Sequence, residues 1–133
     1  MDIGDLNVGM SASYKHLITR ADVDSYAELS GDKNPLHTDK EYAQKSIFKD
    51  LICHGLFPAG FFSAIFGTRL PGPGCAYVKQ SLEFRNPVFI GDEVVATVIV
   101  KRIFKTKNLV QFETFCKVNE KPVIIGNALI FVP

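Results

Sequence analysis

Cysteine is scarce in this sequence, and the cysteines present form no metal or redox motif. There are three, Cys53, Cys75 and Cys116, an odd number spread widely along the chain. Without a Cys-x-x-Cys pair, the sequence argues against a structural zinc site and against a redox motif. Free thiols, buried in a reducing compartment, are the better interpretation.

The sequence also lacks an excess of charge of either sign. The formal net charge is +1, from 15 basic and 14 acidic residues. This balance gives no reason to expect a nucleic acid or a membrane surface as a partner. The densest basic group surrounds a predicted turn, where solvated charge is ordinary. A minor contact with ligand phosphates is the alternative for this group, which consists of Lys101, Arg102, Lys105 and Lys107.

Long apolar runs, internal repeats and low-complexity linkers are absent as well. No apolar run has the length needed to cross a bilayer. The acidic residues 1–5 are unlike a signal peptide, and the last residues are not a Ser-Lys-Leu signal. A chain of 133 residues without a linker suits one domain. We therefore expect a single domain over residues 1–133, located in the cytoplasm.

The first part of the chain predicts a strand followed by a helix. Residues 11–18 have strand character. Thr19 is a suitable N-cap, and Asp22 three residues later completes a pattern close to a capping box. The apolar spacing that follows predicts a short amphipathic helix over residues 20–30, which Gly31 ends.

The middle of the chain predicts an irregular loop and two further helices. Residues 31–38 are expected to be irregular, and Asp39 is a suitable cap for a short helix ending near residue 45. Residues 55–70 are apolar all round, which predicts a helix buried on nearly every side. Pro58 places its start near Gly55, because proline is tolerated only in a first turn.

Strand signals fill the remainder of the chain. A turn is expected at residues 119–121, within an antiparallel meander. A buried helix followed by such a sheet is an α+β arrangement. The predicted strands, rich in β-branched residues, are 75–86, 93–104, 109–119 and 122–132.

Asp32 and His37 are the residues most suggestive of chemistry. They lie five positions apart in the predicted loop, and Pro35 both stiffens that loop and keeps Asn34 out of helical geometry. A carboxylate and an imidazole held together suit general acid–base catalysis, because each changes the proton affinity of the other. The structural alternative is a turn-forming aspartate and a surface histidine.

The surrounding residues resemble a known motif. From Tyr26 the sequence reads Tyr-Ala-Glu-Leu-Ser-Gly-Asp-Lys-Asn-Pro-Leu-His-Thr-Asp-Lys-Glu-Tyr-Ala. This stretch resembles the hydratase-2 motif of the MaoC-like family, which includes (R)-specific enoyl-CoA hydratases. The matching positions are Tyr26, Leu29, Ser30, Gly31, Asp32, Asn34, Pro35, Leu36, His37 and Ala43.

The likeness extends over nearly the whole chain. It continues in Cys53-His54-Gly55 and in three later segments, although an apolar or small residue is commoner at the Cys53 position. The resemblance implies the hot-dog fold, in which an antiparallel sheet wraps around a long central helix. The later segments are 70–74, 84–88 and 91–94.

The resemblance also implies roles for individual residues. Asp32 and His37 would hold one water and move its proton. The Gly55 N–H, at the start of the buried helix, would stabilise negative charge on the thioester oxygen, although close packing alone could also require this glycine. Ser63 would support Asp32 or simply permit close packing, and Asn34 would shape the loop or orient His37. No metal and no cofactor are expected.

The other histidines and the phenylalanines are expected to be structural. His16 is predicted to lie on the surface and His54 to have a structural role. A run of phenylalanines is expected to form core, with some rings lining an acyl pocket. The run comprises Phe57, Phe61, Phe62 and Phe66.

By resemblance, the expected reaction is reversible hydration of trans-2-enoyl-CoA to (R)-3-hydroxyacyl-CoA. A dehydratase acting on acyl carrier protein thioesters in fatty-acid synthesis is the nearest alternative. A hot-dog thioesterase and a non-catalytic acyl-CoA-binding dimer are more distant ones. The expected assembly is a homodimer, with a higher oligomer as an option, because an open sheet edge and a small chain favour association.

Overall fold

Six strands form one antiparallel sheet in the computed structural model, which describes residues 1–133. The order of the main strands is β1-β4-β5-β6-β2, and β3 pairs with β6. Strands β4, β5 and β6 therefore form the centre, while β1 and β2 lie at the edges. The strands are β1 (Ser11–Leu17), β2 (Ala76–Gln80), β3 (Glu83–Phe84), β4 (Glu93–Phe104), β5 (Leu109–Val118) and β6 (Lys121–Phe131).

Four α-helices precede the main part of the sheet. The predicted capping box is formed, since Thr19 accepts from the Asp22 N–H, and Gly31 ends the first helix at φ 80°. No helix combines the length and the apolar character that membrane crossing requires. The helices are α1 (Arg20–Ser30), α2 (Pro35–Thr38), α3 (Lys40–Gln44) and α4 (Leu56–Thr68), with 3-10 turns at Ile3–Asp5 and Lys105–Lys107.

The core lies between α4 and the concave face of the sheet. Phe62, Ile65 and Phe66 of α4 are fully buried. Alternate residues of β4 point towards them, because successive side chains of a strand face opposite sides of a sheet. Each large apolar side chain buried in this way contributes roughly 2 kcal/mol. The predicted α+β class and the hot-dog arrangement are confirmed.

The prediction that α4 is buried on nearly every side is wrong for the single chain. One face of the helix is exposed, because the sheet covers only the side that carries the large rings. We call five of the exposed residues the open face of α4: Leu56, Gly60, Ser63, Ala64 and Gly67.

Two element boundaries also differ from expectation. The loop at 31–38 contains the one-turn helix α2, whose start Asn34 caps through its side chain. The strand predicted over 75–86 is two strands, β2 and β3. The break lies where the Ser81 backbone crosses Gly126, and a β-carbon at Gly126 would lie 1.9 Å from the Ser81 carbonyl oxygen.

The turn predicted at residues 119–121 is confirmed. Asn119 and Glu120 both have positive φ, at 48° and 66°. Two consecutive left-handed residues are typical of the tight turns that join twisted antiparallel strands. The hairpin of β5 and β6 therefore begins where the sequence places it.

Candidate active site

The loop after α1 is organised by short-range hydrogen bonds to its own backbone. The Asp32 carboxylate accepts from the Asn34 N–H at 3.2 Å. The Asn34 side-chain oxygen accepts from the Leu36 N–H at 3.0 Å and starts α2. Asn34 therefore has the loop-shaping position that the sequence suggested, and α2 carries His37 inward.

His37 is held by a backbone carbonyl. Its side chain is buried, with 8% of the residue exposed. Nδ1 lies 2.7 Å from the Ile52 carbonyl oxygen. A carbonyl oxygen only accepts, so the Nδ1–H donates and Nε2 keeps its lone pair. The structure thus presents His37 as an imidazole able to accept a proton.

The surroundings of His37 favour its neutral form. Burial is the largest cause and lowers its pKa, and the nearby imidazole of His54 lowers it further. The hydrogen bond to the Ile52 carbonyl and the charge of Asp32 raise it. The net effect is a pKa below the ordinary value for histidine, which suits a group that accepts protons at neutral pH.

His54 lies against this pair, although its sequence position predicted only a structural role. Its ring stacks on that of His37, with centroids 3.9 Å apart and planes inclined by 29°. Its Nε2 lies 2.8 Å from the backbone carbonyl oxygen of Asp32. The Cys53-His54-Gly55 match was the only signal in the sequence that could have pointed to this position.

A cavity of about 480 Å³ connects these residues with the start of α4. It includes Asp32, His37 and Gly55, so three of the predicted site residues share one cavity. A second cavity, of about 760 Å³, lies against the outer face of the sheet and contains no histidine. The residues that complete the first cavity are Tyr26, Phe48, Ile52, Cys53, His54, Leu56, Phe84, Arg85, Asn86, Pro87, Val88 and Ile124.

Gly55 has a steric reason to be glycine, and its backbone N–H is available as a donor. A β-carbon there would lie 2.8 Å from two ring atoms of Phe84. Its φ and ψ, −60° and −37°, are ordinary helical values, so backbone conformation does not require glycine. Its N–H forms no hydrogen bond with another part of the chain. It is a free donor at the positive end of the α4 dipole.

Ser63 forms no hydrogen bond with Asp32 within the single chain, so the supporting role expected from the resemblance stays a prediction. Ser63 lies on the open face of α4 and does not line the cavity. It is eight residues beyond Gly55, a distance of about 12 Å along a helix. This separation explains why one chain does not form the contact.

His16 is less exposed than predicted. It is half-buried, and its Nε2 lies 2.8 Å from a carboxylate oxygen of Asp22. This contact helps to hold the start of α1. His16 is not among the cavity residues, which agrees with a structural role.

Asp32, His37 and His54 could also be considered as metal ligands, although their sequence spacing predicts no such site. One ligand atom from each lies within 4.8 Å of the others. However, the two imidazoles stack face to face, so the lone pairs in their ring planes do not converge on one point. The arrangement suits proton transfer and a bound water better than tetrahedral metal coordination.

Comparison with known proteins agrees with this geometry. The profile of the MaoC like domain matches residues 7–127. An (R)-specific enoyl-CoA hydratase from Rhodospirillum rubrum is 50% identical over 97% of this chain and 90% of that protein. A mitochondrial 3-hydroxyacyl-[acyl-carrier-protein] dehydratase from Arabidopsis thaliana is 40% identical over 96% of this chain and 78% of its own length.

Solved structures give the same result. The (R)-hydratase from A. caviae involved in PHA biosynthesis superposes with a TM-score of 0.93 at 37% identity. The match covers 96% of this chain and 98% of that one. On sequence and on structure, the chain belongs to the MaoC-like family.

Proposed function

We propose that residues 1–133 form one hydratase domain that reversibly converts trans-2-enoyl-CoA to (R)-3-hydroxyacyl-CoA. The observation that carries the proposal is the pairing of a proton-accepting His37 Nε2 with the Asp32 carboxylate beside a free Gly55 N–H. The similarity to (R)-specific hydratases supports the substrate class and the (R) product.

In this mechanism Asp32 and His37 hold one water between them. The water oxygen bonds to C3 of the enoyl thioester while one of its protons passes to the pair. The electrons of the double bond move through C2 onto the thioester oxygen, giving an enolate. A proton then reaches C2, the carbonyl reforms, and the net change is addition of one water molecule.

Gly55 stabilises the charge that forms on the thioester oxygen. Its N–H is unpaired and lies at the start of the 13-residue helix α4. A preorganised donor of this kind is worth roughly 3 kcal/mol to the transition state. No cofactor is required, since adding water to a conjugated double bond involves no redox change.

We also propose that the active form is a cytoplasmic homodimer, with a higher oligomer as the alternative. The open face of α4 leaves Leu56 59% exposed beside the cavity. Strand β2 is a sheet edge with exposed Tyr77 and Val78. Pairing of two such edges would extend the sheet and cover both apolar surfaces. Ser63 would then lie at the contact.

A dehydratase acting on acyl carrier protein thioesters is the second candidate. Its support is the 40% identity to the mitochondrial dehydratase from Arabidopsis thaliana. The chemistry is the same reaction in reverse, so the site does not distinguish the two carriers. Turnover on CoA and carrier-protein thioesters of equal chain length separates them.

The hot-dog thioesterase and the non-catalytic binding dimer have weaker support. A thioesterase would release free thiol, and a binding module would need neither Asp32 nor a proton-accepting His37. Assays for thiol release and for binding without turnover therefore test these alternatives.

The hydratase assay follows loss of the enoyl-thioester absorbance with crotonyl-CoA. We expect Asp32→Asn and His37→Gln each to reduce the rate by about two to four orders of magnitude, the usual effect of losing a general acid or base. Asp24→Asn and His16→Gln are matched controls outside the cavity and should retain wild-type rates. Wild-type inactivity on every acyl chain from about four to ten carbons, or full activity of both site variants, contradicts the proposal.

A further inference from the structure

His54, at the beginning of α4, is in contact with two other rings. It is 2% exposed. Its ring stacks on His37 at 3.9 Å between centroids. The Tyr26 ring of α1 lies at 4.8 Å from the His54 ring, inclined by 59°. The His54 side chain is therefore fixed in position by both neighbours.

One nitrogen of His54 is bonded and the other is not. Nε2 lies 2.8 Å from the Asp32 carbonyl oxygen, and because that oxygen only accepts, the Nε2–H donates. Nδ1 is buried and has no hydrogen-bond partner. An unsatisfied buried nitrogen destabilises the folded state, so an apolar ring would serve better if packing were its only role.

The His54 Nε2–H donates to the backbone carbonyl oxygen of Asp32 rather than to its carboxylate. The carboxylate stays available for water, while the loop that carries it is tied to the start of α4. The same ring forms a platform for His37. His54 thus contacts both members of the proposed catalytic pair, one through a hydrogen bond and the other through stacking.

We propose that His54 is a positioning residue. It fixes the separation of the Asp32 carboxylate and the His37 imidazole so that both groups can hydrogen-bond to the same water molecule. The inference rests on the proposed function, since it assigns a role within that site. His54 itself need not touch the substrate.

Removal of the His54 ring should also change the electrostatics around His37. The titratable groups facing His54 are His37 on α2, Tyr26 on α1, Asp32 on the intervening loop and the neighbouring Cys53, and Arg85 lines the same cavity. The His54 imidazole lowers the pKa of His37. Removing it while keeping the site buried should raise that pKa and move the acid limb of kcat/KM to higher pH.

Two substitutions separate the hydrogen bond from the ring. His54→Phe keeps the bulk and the stack but removes the donor. His54→Gln restores an N–H near the Nε2 position and removes the ring. We expect kcat of His54→Phe to fall about 100-fold with KM within about threefold, because misplacement of reacting groups affects the chemical step. We expect His54→Gln to recover at least about tenfold of that loss.

Val98→Ala is the control for simple destabilisation. Val98 is a fully buried residue of β4 and does not line the cavity. The Val98→Ala substitution should lower the free energy of unfolding without changing the pH dependence of kcat/KM. Equal losses of kcat in His54→Phe and His54→Gln would overturn the positioning role.

A measurement on the wild type keeps the inference testable if the variants do not fold. Long-range proton–nitrogen NMR correlations assign the tautomers of the three histidines. We expect Nε2–H for His54, and an Nδ1–H tautomer would overturn the proposal. Wild-type inactivity in the hydratase assay would contradict the proposed function without affecting this contact, so the two failures are distinguishable.

Discussion

At the scale of single residues, the protonation of His37 is set by what surrounds it. Burial and the His54 imidazole outweigh the Ile52 carbonyl and Asp32, so the pKa of His37 lies below its ordinary value of 6.5. A base must be neutral to accept a proton. Activity should therefore persist as pH falls through 6.5 and be lost only as pH falls through the lowered pKa.

The measurement is kcat/KM for enoyl-CoA hydration as a function of pH. An acid-limb midpoint above 6.5 would contradict the prediction. NMR titration of the His37 ring in the free enzyme serves as the control, because kinetic midpoints of interacting groups belong to the pair.

Gly55→Ala tests whether that glycine serves packing alone. The new methyl group would meet the Phe84 ring, which is 52% exposed and therefore has room to move. We expect the free energy of unfolding to change by less than about 1 kcal/mol. The rate should fall on the order of tenfold, because Phe84 would shift within the cavity. A stability loss without a rate loss would favour the packing interpretation.

The cysteines should be largely inert in the folded protein. Burial raises the pKa of Cys53 to about 12 and that of Cys116 to about 12, and it also raises the pKa of half-buried Cys75. The thiolate is the reactive form. Titration with a chromogenic disulfide near neutral pH should detect at most Cys75 before unfolding and all three thiols afterwards. Rapid reaction of Cys53 or Cys116 would contradict this.

At the scale of elements, the break between β2 and β3 depends on one missing side chain. A β-carbon at Gly126 would lie 1.9 Å from the Ser81 carbonyl oxygen and 2.9 Å from its carbon. Both are backbone atoms, so neither moves easily. We expect Gly126→Ala to reduce the free energy of unfolding by about 3 kcal/mol.

Urea denaturation of Gly126→Ala and Gly4→Ala provides the comparison. A β-carbon at Gly4 would meet nothing within 4 Å. Its substitution should change stability by less than about 0.5 kcal/mol. Similar stabilities for the two variants would show that the strands can separate without loss.

Local patterns explain why most elements could be predicted. Thr19, Asp22 and Gly31 specify both ends of α1 through contacts within the helix itself. The β2–β3 break could not be predicted, because it arises from a contact between Ser81 and Gly126, far apart in sequence. The exposed side of α4 was missed because hydrophobicity alone does not reveal how much of a helix one sheet covers.

The residues of the candidate site also fall into those that the sequence predicts and those that it does not. That Asp32, His37 and Gly55 share one cavity could be predicted, because a motif and a helix start mark them. The role of Ile52 could not, since a backbone carbonyl has no sequence signature. His54 was predicted to be structural; its contacts with both neighbours depend on the return of the chain to the loop after α1.

At the scale of the whole molecule, the open face of α4 predicts how two chains associate. Ala64→Glu would place a carboxylate in the proposed contact, where burial without a partner is unfavourable. We expect the folded variant to sediment as a monomer and the wild type as a dimer. Lys121→Glu, at an exposed position of the β5–β6 hairpin, should remain dimeric. A dimeric Ala64→Glu variant would place the contact elsewhere.

The hydrogen bond from His54 to the main-chain oxygen of Asp32 has a practical consequence. Because the restraint does not involve the carboxylate, replacing Asp32 by asparagine alters the chemistry without releasing the loop. Such a variant should still bind unreacted thioester in a near-native pocket. It would be a suitable form for trapping an intact substrate complex for crystallography.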